Sequence, residues 1–63
     1  MPANRLKELR KSQGISQIQF AKILHSSQQA ISRIENGTGY ISSEMLIKIS
    51  EFFNVTTDYV LCL

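Results

Sequence analysis

Four residues between positions 28 and 33 carry the side chains best suited to reading another molecule: Gln28, Gln29, Ser32 and Arg33. In the major groove of DNA a glutamine amide pairs bidentately with adenine and an arginine guanidinium with guanine, each pair worth about 1–3 kcal/mol of discrimination. At helical spacing these side chains fall on one outer side. Ile31 and Ile34, three apart, fall on the side that packs inward. Glutamine is also a good helix former that is common on exposed surfaces, so the pair gains meaning only from its setting. That setting is the stretch from Gln17 to Asn36, QIQFAKILHSSQQAISRIEN, which reads as two short helices joined by a tight turn.

Catalytic chemistry has little to draw on. The chain has one histidine, His25, no Ser/His/Asp set and no metal-ligand spacing, so an enzyme is not expected. Its one cysteine, Cys62, forms no internal disulfide and completes no zinc site. No cofactor or small-molecule ligand is implied.

Sixty-three residues, 43% of them apolar, allow one domain with one small core. The sequence has no 18-residue apolar run that would span a membrane. The segment MPANRLKELRK has no apolar stretch of the kind a secretory signal needs. A free thiol and an unstapled core fit a reducing cytosol, so the expected location is cytoplasmic. The net charge of +2 is unevenly placed. Up to Arg33 there are six basic residues (Arg5, Lys7, Arg10, Lys11, Lys22, Arg33) and one acid, Glu8; after it there are one basic residue, Lys48, and four acids (Glu35, Glu44, Glu51, Asp58). Such asymmetry suits an N-terminal half that faces a polyanion, or simply a mixed solvated surface.

The elements that must position the outer face can be read from caps and periodicity. Leu6 and Leu9 mark an amphipathic first helix from Pro2 or Ala3 to Gln13, stopped by Gly14. Ser16 caps a second helix with Ile18, Phe20, Ala21, Ile23 and Leu24 on its apolar side. Ser26 or Ser27 caps the third, which runs to Asn36. Ser42 or Ser43 caps a fourth, with Leu46, Ile49, Phe52 and Phe53 at helical spacing; Asn54 ends it in a left-handed turn. Thr56 or Thr57 starts a last short helix ending near Leu61. Expected bounds are 2–13, 16–24, 27–36, 43–53 and 57–61. Strand signals are weak, and Gly37–Tyr40 lacks a phosphate-loop pattern. The expected fold is all-α, a compact five-helix bundle, with Leu9, Phe20, Ile31, Leu46 and Phe52 in its core.

The order L-x-x-L-R, then Gly-Ile-Ser-Gln with Phe20-Ala21, then Ile31-Ser-Arg-Ile-Glu-Asn-Gly37, resembles the Cro/repressor-type helix-turn-helix family. That family includes phage repressors and xenobiotic-response-element-like bacterial regulators. The resemblance runs from Arg5 to about Leu61 and implies a lambda-repressor-like DNA-binding domain, with the helix-turn-helix formed by helices two and three. It places Gln28, Gln29, Ser32 and Arg33 at base-reading positions. It places Ser16, Gln17, Ser27, Asn36 and Tyr40 near phosphates, Gln17 being the phosphate clamp at the start of helix two; Tyr40 reads equally as a packing residue. It implies an ion pair between Arg10 and Glu35 that braces helix one against the end of helix three. The implied partner is double-stranded DNA, read by a homodimer that is weak or DNA-mediated. The dimer would associate through the C-terminal region around Phe53, Tyr59, Val60 and Leu61, and the protein would be nucleoid-associated when bound.

The sequence departs from the family in three places. His25 stands where glycine is usual, in a left-handed turn; Ser26 replaces an aliphatic residue. The loop after Gly37 is neutral where the family's is often basic, which implies fewer phosphate contacts. Two functions fit: a sequence-specific, repressor-like transcription regulator, and a protein-interaction module such as an antitoxin that keeps the fold. The outward Gln28, Gln29 and Arg33 favour the first, and the sparse loop favours the second.

Overall fold

Hydroxyl side chains set where most of the helices begin. In the computed structural model, which describes residues 4–63, the elements are α1 (Leu6–Ser12), α2 (Gln17–Ile23), α3 (Gln28–Glu35), α4 (Ser43–Phe53) and α5 (Thr57–Val60). Ser16, Ser27, Ser42 and Thr56 each accept a hydrogen bond from the backbone N–H three residues on, which satisfies an otherwise orphaned donor. Ser16 forms a full capping box: its Oγ accepts from the Gln19 N–H at 3.1 Å, and Gln19 Oε1 accepts from the Ser16 N–H at 2.9 Å. The open choices at the third, fourth and fifth helices therefore resolve to Ser27, Ser42 and Thr56.

All five helices end in one kind of reversal. A residue in the left-handed region follows each: Gly14 (φ 68°), His25 (56°), Gly37 (82°), Asn54 (55°) and Cys62 (62°). Each reversal carries the paired backbone bonds of a Schellman motif. At α2 the His25 N–H reaches Lys22 O at 3.2 Å and the Ser26 N–H reaches Ala21 O at 2.8 Å. The left-handed turns expected at His25 and Asn54 are present. Cys62 was not foreseen in this role.

The start of α1 corrects the expected boundary. Pro2 and Ala3 lie outside the described residues. Asn4 and Arg5 are not helical. The Asn4 carboxamide accepts from the Leu6 N–H at 2.9 Å, and the Arg5 N–H is committed to Val60 O at 2.8 Å. Those bonds tie the segment to α5 and leave Arg5, at φ −104° and ψ 17°, as the N-cap, so the helix begins at Leu6. Asn4 Nδ2 also donates to Ile34 O at 2.9 Å, tying this segment to α3.

Every helix contributes to the core, which comprises Leu6, Phe20, Ala21, Leu24, Ile31, Ile34, Ile49 and Val60. Leu9, Ile15, Ile41, Met45, Leu46, Phe53 and Val55 are half-buried around it. Phe52, expected inside, is 46% exposed. The i+4 row Met45–Ile49–Phe53 turns inward and leaves Phe52 at its edge, where its ring meets Phe53 edge-on at 5.0 Å. Ile18 and Ile23 are exposed as well. With Phe20, Ala21 and Leu24 inward, Ile18 lies about 160° away from Phe20 and Ile23 about 60° to its other side.

The surface expected for dimerisation is also corrected. Val60 is fully buried, and Phe53 packs against the core. Val60 closes the bundle and cannot face a second copy, and Phe53 keeps only part of its surface outside. Tyr59 remains 41% exposed, with the Arg5 guanidinium 4.2 Å above its ring, and Leu61 is half-buried. Among the described residues, no helix is long and apolar enough to cross a membrane.

Candidate nucleic-acid interface

The outer side of α3 and the first residue of α2 enclose one shallow concavity of about 410 Å³, lined by Gln17, Gln28, Gln29, Ser32 and Arg33. Ile31 and Ile34 anchor the opposite side of α3 in the core, 0% and 2% exposed. The packing therefore fixes the direction in which the polar side chains project. Ala21, 4% exposed on α2, is small where α2 and α3 pack together. Among the described residues, no hydrogen bond engages the side chains of Gln28, Gln29, Ser32 or Arg33. Their donors and acceptors are open to solvent.

Beside this face lies a polar cluster whose members are hydrogen-bonded to one another. Glu35, the last residue of α3, has a side chain only 1% exposed. Arg10 Nε donates to Glu35 Oε2 at 2.6 Å and Arg10 Nη2 to Glu35 Oε1 at 3.1 Å, a two-point pair. Arg10 Nη1 donates to the Ile15 carbonyl at 2.8 Å, which adds the turn after α1. Gln17 Nε2 donates to Glu35 Oε1 at 3.1 Å. Burial pushes the Glu35 carboxyl up, but hydrogen bonds from Arg10 and Gln17, with the charges of Arg10 and Lys7, outweigh it and hold the group below its ordinary value. The Arg10 guanidinium is raised by its hydrogen bond to Glu35, against the opposing effect of burial.

The residues proposed near phosphates differ in what they have free. Ser16 spends its Oγ lone pair and its backbone N–H on the capping box, which leaves the hydroxyl proton to donate. Ser27 spends its Oγ on the Ala30 N–H at 3.1 Å and keeps its proton in the same way. Asn36, at the C-terminal cap of α3, is exposed. Tyr40 is 83% exposed, so it is no core residue.

The loop that carries Tyr40 is held tightly at its base. The Thr38 and Gly39 N–H groups both donate to the Arg33 carbonyl at 2.9 Å, and Thr38 Oγ1 donates to it at 3.3 Å. A Cβ at position 39 would stand 2.7 Å from the Ile34 nitrogen and 2.9 Å from the Arg33 carbonyl carbon. Glycine there lets the loop lie directly on the end of α3 and cap it. Sequence reasoning missed this contact, along with Asn4 and the Gln17–Glu35 bond. An asparagine just ahead of a helix is a capping signal that could have identified Asn4.

Charge is distributed less simply than the sequence count suggests. Arg10 is neutralised inside the fold, and Arg5 lies over Tyr59 at the α5 end. Lys7, Lys11, Lys22 and Arg33 remain as the exposed cations of the N-terminal half.

Comparison with known proteins agrees with this architecture. A family model described as helix-turn-helix matches residues 6–60. Over 57 residues the chain is 44% identical to the HTH-type transcriptional activator BcrR of Enterococcus faecalis, covering 90% of this chain and 28% of that protein. Over 56 residues it is 39% identical to the antitoxin PezA of Streptococcus pneumoniae, covering 89% of this chain and 35% of that protein. The chain thus spans roughly a third of the length of these relatives (35% and 28%). The crystal structure of the clp gene regulator ClgR from C. glutamicum shares the fold, with a TM-score of 0.74 at 24% identity over 90% of this chain and 74% of that one. The match across nearly all five helices, with the helix-turn-helix formed by α2 and α3, shows that the chain belongs to the Cro/repressor-type helix-turn-helix family.

Proposed function

We propose that the chain is a sequence-specific DNA-binding regulator of transcription, repressor-like, which reads the major groove with α3. The observation that carries this reading is the α3 face itself. Gln28, Gln29, Ser32 and Arg33 project together beside Gln17, with no hydrogen bonds to the fold among the described residues. Bidentate amide and guanidinium groups are the chemistry of base-edge readout, and a rigid helix seated on the core presents them in fixed register. Gln17 lines the same concavity, Ser16 and Ser27 cap the starts of α2 and α3, and the exposed Asn36 and Tyr40 offer further donors suited to phosphate oxygens.

A single α3 spans only a few base pairs. Two copies on half-sites about 34 Å apart would give the usual specificity, as a dimer that is weak or formed on DNA. With Val60 committed to the core and Phe53 largely so, the surface for that contact centres on Tyr59, Leu61 and the exposed Leu63. Selection of bound sites from a random DNA pool tests the reading. Recovery of a short palindromic sequence is expected, and recovery of unrelated sequences would refute it. Sedimentation with and without the selected DNA then reports the dimer.

A second reading is a protein-interaction module, favoured by the likeness to an antitoxin and by the uncharged Thr38–Ile41 loop. Titration with mixed genomic DNA at low and high salt separates the two. Salt-sensitive binding supports the regulator, because phosphate contacts release counterions. Its complete absence supports the module.

A further inference from the structure

We propose that Glu35 is a positioning residue for Gln17: through one carboxylate oxygen it dictates which way the Gln17 amide faces, and so which group Gln17 presents to a DNA phosphate. The inference rests on the DNA-binding reading and extends it to a residue that touches no DNA itself.

The argument is chemical. A carboxylate can only accept hydrogen bonds. Glu35 Oε1 already takes Arg10 Nη2 at 3.1 Å, and the remaining neighbour, at 3.1 Å, is the Gln17 carboxamide. Only the NH2 end of that amide can stand there, because the flipped amide would set its oxygen against Oε1. One N–H of Gln17 is thereby consumed. The second N–H, on the same planar nitrogen, is directed away from Glu35, and Gln17 lines the same concavity as Gln28, Gln29, Ser32 and Arg33. Phosphate oxygens require a donor, and the orientation Glu35 imposes leaves one free. It also removes rotamer freedom from Gln17 before binding, so less is lost when a phosphate is engaged.

Arg10 completes the arrangement. An unneutralised Glu35 would repel a nearby phosphate. The two-point pair with Arg10 cancels that charge while leaving Oε1 able to hold Gln17. One carboxylate thus links the last residue of α3 to the first residue of α2, and the backbone-contacting group is registered against the base-facing ones.

Two measurements on the folded protein test this. In the wild type, 15N relaxation of the side-chain amides should show Gln17 Nε2 ordered and Gln28 and Gln29 mobile; in Glu35→Gln, Gln17 should become as mobile as they are. A wild-type Gln17 amide as mobile as Gln28 overturns the inference without need of any variant. In the second, DNA affinity is measured for Gln17→Ala, Glu35→Gln and the double variant, well below their melting temperatures. Gln17→Ala should weaken binding about tenfold in the wild type and no more than about twofold in the Glu35→Gln background. A purely structural Glu35 would lower the melting temperature and leave the Gln17→Ala factor unchanged, which would also overturn the inference. If the wild type bound no DNA at any salt, the functional reading would fail, and the relaxation measurement would still decide whether Glu35 orders the amide.

Discussion

Arg10 and Arg33 carry the same guanidinium, and the fold treats them oppositely. Arg10 has a side chain 10% exposed, and its donors are divided between Glu35 and the Ile15 carbonyl. Arg33 is exposed, and its side chain makes no hydrogen bond among the described residues; only its backbone carbonyl is engaged, by Thr38 and Gly39. The contrast separates two uses of polarity within one small domain. Where donors and acceptors are matched internally, the charge fixes the angle between α1 and α3. Where they are left unmatched on a helix seated on the core, they stay open to solvent and are what the proposed base readout would use. Burial and hydrogen bonding together distinguish the two uses, and neither sequence position nor residue type does so alone.

Removing Glu35 should break the first region hardest. Glu35→Ala leaves the Arg10 charge buried and uncompensated, and a loss of about 3 kcal/mol is expected in urea unfolding. A cycle with Arg10→Met should show coupling of at least about 1 kcal/mol. Additive single variants would mean that the pair holds nothing together. The second region should respond in the opposite way. Arg33→Ala should leave the melting temperature nearly unchanged and remove about 1–3 kcal/mol of base discrimination, visible as a relaxed preference at one position of the selected site. A uniform loss across all sequences would reassign Arg33 to phosphate contact.

Acid should sharpen the same distinction. Glu35 titrates below its ordinary value in the folded chain, so its stabilisation is complete above the unfolded carboxylate range. It is lost as the pH falls through the lower, folded value. The melting-temperature gap between the wild type and Glu35→Gln should therefore begin to narrow as the pH falls through the unfolded carboxylate range and close only at the lower, folded value. A gap already closed within the unfolded carboxylate range would contradict the depressed titration. The smallest effect is expected at the turn between α2 and α3. His25 sits at φ 56°, where a Cβ is strained, so His25→Gly should stabilise by about 0.5–1 kcal/mol in thermal melts, with DNA selectivity untouched.

Much of this architecture was legible in the chain because it is written in local chemistry. Hydroxyl caps, the glycine at position 14, the asparagine at 54 and the apolar spacing of Ile31 and Ile34 each act within one helical turn. The failures have physical causes too. Phe52 and Phe53 both fit a helical period and both rings meet Phe20, at 6.1 and 5.6 Å, so only the tertiary packing decides which lies deeper. The helix before Gly14 begins late because Asn4 and Arg5 are claimed by groups distant in sequence, at Ile34 and Val60. The cluster at Arg10, Gln17 and Glu35 was only partly foreseen. The ion pair came with the family resemblance, whereas the glutamine joins it across 18 positions that no local rule connects. Cys62 in a left-handed turn had no compositional signal, since cysteine has no preference for that conformation.

Gly39 bears on how such a domain could be retuned. Because a Cβ there would strike the backbone of α3, a basic residue at position 39 would lift the loop from that helix. Tyr40, one residue on and 83% exposed, carries no such restriction. A long basic side chain is thus accommodated at position 40 and excluded at its neighbour, so the loop can gain charge at position 40, where it has already turned away from α3.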